Sequence, residues 1–512
     1  MNPARLPSER QMEVCMQCHL ETTSLPLPHS IVRYDRAPFS YRPGEPLGNF
    51  LIFFDHAPGS KYQDDFEIAH SAYRLRKSEC FLRSNGKLTC TTCHNPHDVS
   101  RGEAAAAHYN AVCGTCHTVK HTASPDCVGC HMPKRRTQDV IHAVMTDHWI
   151  QRRPPAGDAL GPIAERQEFD ARQYSGEVLP YYPSPLPPTA ENALYRAVAQ
   201  VAQKSNLAKG LPRLSAEVAK QMPARAEFYV ELGQAWLGVR KPVNAIIAFE
   251  EAVKRKPDSP LALLNLADAL TQAGQTPRAV ATLSRALKVA PGDPLLWYQL
   301  GVTQSAAEHD AAAITAFEKA VSLDPDFIEA HNALGAALAA RGDLDRAQKE
   351  LLRALQLNPD FPEALGNLGH LLAARRDPQQ AAFYFARSVK LKPNDAEVRT
   401  NYSVTLASLN QWDEARQQIE AAVKADPKSA DAHNFKGTLL EQAGNHADAL
   451  REFLEAIRLR PDFGMGRIHA ARILAARGDR TAAEQQLRQA ATSADDNVRR
   501  QAAQALRQLG AR

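Results

Sequence analysis

The sequence predicts a mainly α-helical chain in two unlike parts, a loop-rich front module followed by an α-solenoid of helix pairs. Three observations predict it. All nine cysteines fall between residues 15 and 130; a proline-rich stretch follows; and from about residue 190 proline and alanine recur every 34 residues. The chain has 512 residues, 44% hydrophobic and 23% charged, which is enough for two or more domains and excludes a disordered or collagen-like chain. With 61 basic and 57 acidic side chains the formal charge is only +4, so nothing argues for nucleic acid or an anionic membrane surface. No apolar run approaches the roughly 18 residues needed to span a bilayer, so no transmembrane segment is expected.

Eight of the cysteines form four pairs, and each pair is followed at once by histidine. They read Cys15-Met16-Gln17-Cys18-His19, Cys90-Thr91-Thr92-Cys93-His94, Cys113-Gly114-Thr115-Cys116-His117 and Cys127-Val128-Gly129-Cys130-His131. This is the attachment signature of c-type haem. Residues three apart share one face of a helical turn, so both thiols reach the vinyl groups of one porphyrin. The histidine that follows then offers its imidazole to the iron. The competing reading is zinc, because nineteen residues separate the second and third pairs, within the range of a four-cysteine ribbon. Zinc does not require histidine after every pair. With 18 histidines in the chain, four such coincidences have a chance on the order of one in a million. Four covalent haem c sites are therefore expected, with His19, His94, His117 and His131 as proximal ligands.

Twelve of the histidines precede residue 150, and eight of those lie outside the motifs. A six-coordinate iron with two imidazoles needs one more histidine, so eight compete for four places. His97 heads the candidates, since Pro96 in Cys93-His94-Asn95-Pro96-His97 holds two imidazoles apart, towards different haems. His142 and His148 follow, with Thr146 or Asp147 as acceptors behind them. His29 and His70 come next, and His56, His108 and His121 last. Cys80 reads as a buried small hydrophobe. The basic groups Arg74, Arg76 and Lys77, and Lys134, Arg135 and Arg136, suit either haem propionates or a solvated loop. Four porphyrins in so short a module must supply much of its core, and neighbouring ones must lie close enough to exchange electrons.

Residues 151–189 carry prolines at 154, 155, 162, 180, 183, 185, 187 and 188, and read as an extended linker. Beyond it prolines stand at 223, 257, 291, 325, 359, 393, 427 and 461, and alanines at 245, 279, 313, 347, 381, 415, 449 and 483. Gly233, Gly301, Gly335, Gly369 and Gly437 hold a further phase. Phe249, Leu283, Phe317, Leu351, Phe385, Ile419 and Phe453 hold another. This resembles the tetratricopeptide repeat, a helix-turn-helix unit of that length. The small residues mark close helix crossings, the large ones fill between, and proline ends each second helix. The expected organisation is a multihaem module over 1–150, a linker over 151–189, one degenerate and eight regular repeats over 190–497, and a capping helix over 498–512.

The front module resembles a bacterial multihaem cytochrome c of the group related to cytochrome c554, with doubled Cys-x-x-Cys-His motifs. The resembling pieces are 88–97, Cys127 to Pro133 and Thr146-Asp147-His148. Fusion to tetratricopeptide repeats also occurs in that group. The resemblance implies haem-mediated electron transfer outside the cytoplasm. Haem is attached on the outer side of the inner membrane, so a periplasmic or otherwise exported location is expected. The first ten residues show no apolar export segment. The expectation is that the gene reads further upstream, with an export signal and further haem sites.

Three functions follow. The first is an electron carrier with bis-histidine irons, a redox partner protein, and a protein or peptide held in the groove of the repeats. The second is a haem-dependent oxidoreductase with one open iron acting on a small nitrogen or sulfur compound; no Cys-x-x-Cys-Lys motif is present, and no catalytic residue is assigned. The third is an assembly scaffold with structural haems. Neither a phosphate-binding glycine loop nor a hydrolytic constellation is present.

Overall fold

The computed structural model describes residues 5–20, 30–37, 39–60, 66, 68–95, 101–117, 126–137, 143–152, 158–162, 176–204 and 206–510, with backbone only at Cys18 and Gln203. The chain forms two compact units, Met1–Val289 and Ala290–Arg512. It is mostly helical, with paired helices behind a front region of short elements, which agrees with the fold class read from the sequence.

In the first unit the front module contains α1 (Ser8–His19), α2 (Ser71–Arg76), α3 (Glu79–Arg83), α4 (Cys90–Cys93), α5 (Gly102–Gly114) and α6 (Cys127–His131). Its strands are β1 (Ser30–Val32), β2 (Leu51–His56), β3 (Lys134–Arg136), β4 (Val144–Thr146) and β5 (Val178–Tyr182). An antiparallel sheet in the order β1-β2-β5 pairs Ile31 with Ile52 and Phe53 with Tyr182. β3 and β4 form a separate antiparallel pair, with Arg135 opposite Met145.

A core gathers on this sheet: Met16 and Leu20 from α1 and its end, Leu47, Phe50, Leu51 and Phe53, Ala72 and Tyr73 from α2, and Tyr182. Burial of these side chains, each worth about 1.5–3 kcal/mol, fixes α1 against the sheet. The buried carboxylate of Glu13 accepts from Arg10 and from the Tyr182 hydroxyl, which ties α1 to β5. The proline-rich segment read as linker thus contributes an edge strand, the one place where Pro180, lacking an N–H, costs no ladder bond.

The first repeat is built onto this module. Gln200 of α7 (Ala190–Val201) donates to the Val178 carbonyl at 2.7 Å and accepts from its N–H at 3.3 Å, covering the open edge of β5. Tyr34, just after β1, donates its N–H to the Tyr195 hydroxyl at 2.6 Å. Its ring packs on Tyr195 and Phe228 with centroids 5.2 and 4.8 Å apart.

α7 pairs with α8 (Leu207–Gln221), and eight regular pairs follow, from α9 and α10 (Ala226–Gly238 and Pro242–Arg255) to Gly464–Ala476 and Arg480–Ala490. A final helix, Asp496–Gln508, is capped by Asp495, whose carboxylate accepts from the N–H groups of Asn497 and Val498. It buries Val498 and Ala502 against the last pair. In five of the eight regular pairs a glycine of one helix meets the large phase of the other. A Cβ on Gly233 would lie 2.4 Å from the Phe249 ring, and one on Gly301 2.4 Å from Phe317. Glycine is required there by close approach, not by backbone conformation.

Candidate functional site

The Cys-x-x-Cys-His motifs all fall on or at the end of helical turns. The first closes α1, the second makes up α4 with His94 as its cap, the third begins in the last turn of α5, and the fourth is α6. Local chemistry explains two of the turns. Thr89 and Thr92 close a reciprocal capping box around α4, and Asp126 caps α6 by accepting from the Gly129 N–H at 2.9 Å. All the described cysteines are free thiols.

The motif helices meet in chain order: α1 contacts α4, α4 contacts α5, and α5 contacts α6. The thiols follow suit. Cys15 and Cys90 are neighbours, and their interaction pulls the Cys15 thiol down to about 7 and pushes that of Cys90 up. Burial raises Cys93, whose neighbours are Cys113 and Cys116, and raises Cys113, which lies near Cys127 and Cys80. Cys80 is half-buried beside the third motif and not a core residue as the sequence suggested.

The motif histidines differ in their settings. His131 has Nδ1 2.6 Å from the Gln151 carbonyl oxygen. A carbonyl only accepts, so Nδ1 carries the proton and the lone pair is on Nε2, the arrangement of a metal-ligating imidazole. His94 has Nδ1 3.3 Å from the Tyr109 hydroxyl and its ring 6.0 Å from that of His148. Burial lowers its pKa, with His108 adding to the effect. His19 and His117 are exposed.

Among the described distal candidates, His148 has its ring against that of the motif histidine His94. Its Nδ1 lies 3.1 Å from the Thr146 carbonyl oxygen, and burial lowers its pKa. Thr146 is thus an acceptor through its main chain, while Asp147 takes another task. Asp147 and Arg74 are fully buried and joined by two hydrogen bonds of 2.9 and 2.6 Å, with Arg135 adding a third at 3.1 Å. His70 is buried against Tyr73, at 5.4 Å between centroids. His108 reaches the Cys93 carbonyl at 3.2 Å. His29, His97 and His142, with His121, lie outside the described residues.

Of the basic groups, Lys134 is exposed. Arg74 and Arg135 hold Asp147, Arg136 binds the carbonyls of Leu160 and Gly161, and Arg76 lies over the rings of Phe81, Tyr181 and Tyr182. No spacing in the chain pointed to Tyr109, Gln151 or the Arg74–Asp147 pair, because each is a contact between distant residues.

The residues fit c-type haem. Thiols and histidine share a turn at each motif, and the two hydrogen-bonded imidazoles His131 and His148 carry the right tautomer. The apolar balance agrees: among the described residues no apolar side chain between Leu75 and Val178 is buried, so α3 to α6 do not pack on one another as a protein core. Large apolar groups attached to the thiols would supply contact area there. Among the described residues no three His, Cys, Asp or Glu side chains converge on a site for a metal ion.

The comparisons with known proteins agree with this division. A family model described as a doubled CXXCH motif matches residues 83–122, which hold the second and third motifs. Three models described as tetratricopeptide repeat match 200–260 and 405–462, 237–300 and 306–371, and 362–395. The chain therefore joins a doubled haem-binding motif to multiple tetratricopeptide repeats, as expected of a cytochrome c–repeat fusion. No curated protein matches the sequence. Among solved structures, the Pseudomonas aeruginosa pilF protein is 23% identical over 42% of this chain and 97% of its own, with a TM-score of 0.38. The Cut9-Hcn1 hetero-tetramer of the APC/C gives 16% identity over 55% of each chain and a TM-score of 0.44. YrrB, a tetratricopeptide repeat protein with an unusual peptide-binding site, gives 25% identity over 36% of this chain and 95% of its own, at 0.30. No described helix is long and apolar enough to cross a membrane.

Proposed function

We propose that the protein is an exported, periplasmic multihaem c-type cytochrome that passes electrons along four bis-histidine haems, with its repeats docking a protein partner. The observation that carries this reading is the sequence-ordered contact of the four motif helices. Thiols of successive motifs are neighbours, so the groups they tether are neighbours, and chain order is relay order from Cys15 to Cys130. Each haem supplies a one-electron iron couple when bound. The chain's part is to fix the spacing through the thiols, to close each iron with two imidazoles, and to hold those imidazoles by carbonyl and hydroxyl groups at Nδ1. Closed irons relay electrons and do not bind substrate.

Docking is supported by polar contacts between successive first helices of the repeats. Asn332 meets Asn367 at 2.9 Å, His370 meets Asn401 at 2.6 Å, and Asn434 meets His469 at 3.1 Å. Such a file of amide and imidazole groups suits the backbone of an extended peptide.

The test is the protein made, with any upstream coding sequence, in a host that exports it and matures c-type haem. Intact mass should show a haem at each of the four motifs, and low-temperature EPR of the oxidised protein should show only low-spin ferric signals. A clear high-spin signal would move the reading to an oxidoreductase with an open iron. Absence of covalent haem would overturn it.

A further inference from the structure

We infer that His148 is the distal axial ligand of the haem tethered by Cys90 and Cys93, completing one iron together with His94. The inference rests on the cytochrome reading above and adds to it a specific ligand pairing.

Geometry carries the argument. With metal–nitrogen bonds of about 2 Å, two imidazoles on opposite sides of one iron hold their ring centroids about 6 Å apart. The His94 and His148 centroids are 6.0 Å apart, with planes inclined by 37°. Both rings have Nδ1 turned to another partner, His94 to the Tyr109 hydroxyl and His148 to the Thr146 carbonyl. The carbonyl places the proton of His148 on Nδ1 and leaves its Nε2 to a metal, and the hydroxyl, which can donate or accept, holds the orientation of the His94 ring.

The His148 segment is also held as a ligand-bearing segment must be. Thr146 is paired with Lys134 in the β3–β4 hairpin, and the Asp147 N–H donates to the Pro133 carbonyl at 3.0 Å. The Asp147 side chain is locked to Arg74 and accepts from the Trp149 N–H at 2.9 Å. Arg74 and Asp147 are positioning residues: they immobilise the backbone on either side of His148. His19 lies in the wider surroundings of His148, which makes the haem of the first motif the competing assignment.

The experiment uses the mature holoprotein and the variant His148→Ala, alone and combined with Cys90→Ala and Cys93→Ala. Mass spectrometry first counts the haems, and their absence from the parent protein would sink the cytochrome reading and this inference with it. Given haem in the parent, His148→Ala should convert one haem equivalent from low-spin to high-spin in EPR, and His148→Met should raise the midpoint potential of one haem. In the Cys90→Ala/Cys93→Ala background, one haem lighter, His148→Ala should create no high-spin signal. A high-spin signal that persists there assigns His148 to another iron and overturns the pairing, as does the lack of any spectral change in the single variants. Should the haem-deleted background not accumulate, the density of the parent holoprotein decides. An iron between Nε2 of His94 and Nε2 of His148 supports the inference, and any other residue opposite His94 overturns it.

Discussion

Gly301 leaves space for the Phe317 ring between two helices that share a buried core, whereas α5, a helix of similar length, buries none of its thirteen residues. The two helices differ in where their stability is written. In the repeats each helix carries its own apolar face, and every large residue has a small one opposite. Around the second to fourth motifs the described helices carry thiols and imidazoles instead, and on the proposed reading their contact area would come from the haems those groups hold. The first motif is intermediate, since α1 also buries Met12 and Met16 in the sheet core. A region can thus specify its fold through ligands as firmly as through side chains, but only once the ligand is in place.

The largest effect should come from preventing haem attachment. Without it, amides of α4, α5 and α6 are expected to exchange at the rate of unstructured peptide, while those of residues 294–508 keep their protection. Hydrogen exchange with mass spectrometry reads both in one experiment. Equal protection of α5 with and without haem would break the comparison.

Next is the buried Arg74–Asp147 clamp near the motifs. Asp147→Ala leaves the buried Arg74 guanidinium unpaired, at a cost of about 3–5 kcal/mol. Although burial works against the Asp147 carboxylate, hydrogen bonds and charge from Arg74 hold it below the usual range. The denaturant midpoint of the first unit in the holoprotein should fall accordingly. A loss under about 1 kcal/mol would mean that haem contacts alone hold the hairpin.

How much of this was legible follows the same division. The 34-residue step exposed every regular helix pair, because core positions must repeat when identical units stack. The donors that satisfy the proline carbonyls were not legible. Those carbonyls accept from Arg255 at Pro223, Trp297 at Pro291, His331 at Pro325, Arg387 at Pro359, Arg399 at Pro393, His433 at Pro427 and Arg467 at Pro461. Three residue types at one phase and arginine at two others do the same job, so no single letter repeats. In the front module the motifs were legible since haem attachment demands fixed spacing. The setting of His148 was not, as it depends on the pairing of its neighbour Asp147 with Arg74, seventy-three residues before Asp147.

A smaller effect tests the glycine–aromatic fit. Gly301→Ala gains about 1 kcal/mol of helix propensity but drives a methyl into the Phe317 ring, for a net loss of about 1–2 kcal/mol. Where the large phase holds Leu283 or Leu487, the small phase holds Ala267 or Ala471, all four buried. The double variant Gly301→Ala/Phe317→Leu should therefore lose less than the sum of its singles, read by local hydrogen exchange. Strict additivity would mean that the two phases do not share one space.

The smallest effect is a pH dependence confined to the repeats. Nδ1 of His331 lies 2.7 Å from the Glu350 carboxylate and Nε2 lies 3.0 Å from the Pro325 carbonyl, so only the doubly protonated imidazolium satisfies both acceptors. The bond to Glu350 raises the His331 pKa above 6.5, and the same bond lowers that of Glu350 below 4.5. The histidine contribution is complete below its unfolded value and is lost as pH rises through the raised one. The glutamate contribution is complete above its own unfolded value and is lost as pH falls through the lowered one. The pair therefore stabilises most between the two unfolded values. Compared with His331→Gln, the natural chain should hold Ile328–Ala340 more firmly by about 1 kcal/mol near about pH 6 and by almost nothing at about pH 9. Local hydrogen-exchange free energies of the two proteins at both pH values give the difference. A difference that grows towards alkaline pH would mean the imidazole is held neutral, with Glu350 as an acceptor only.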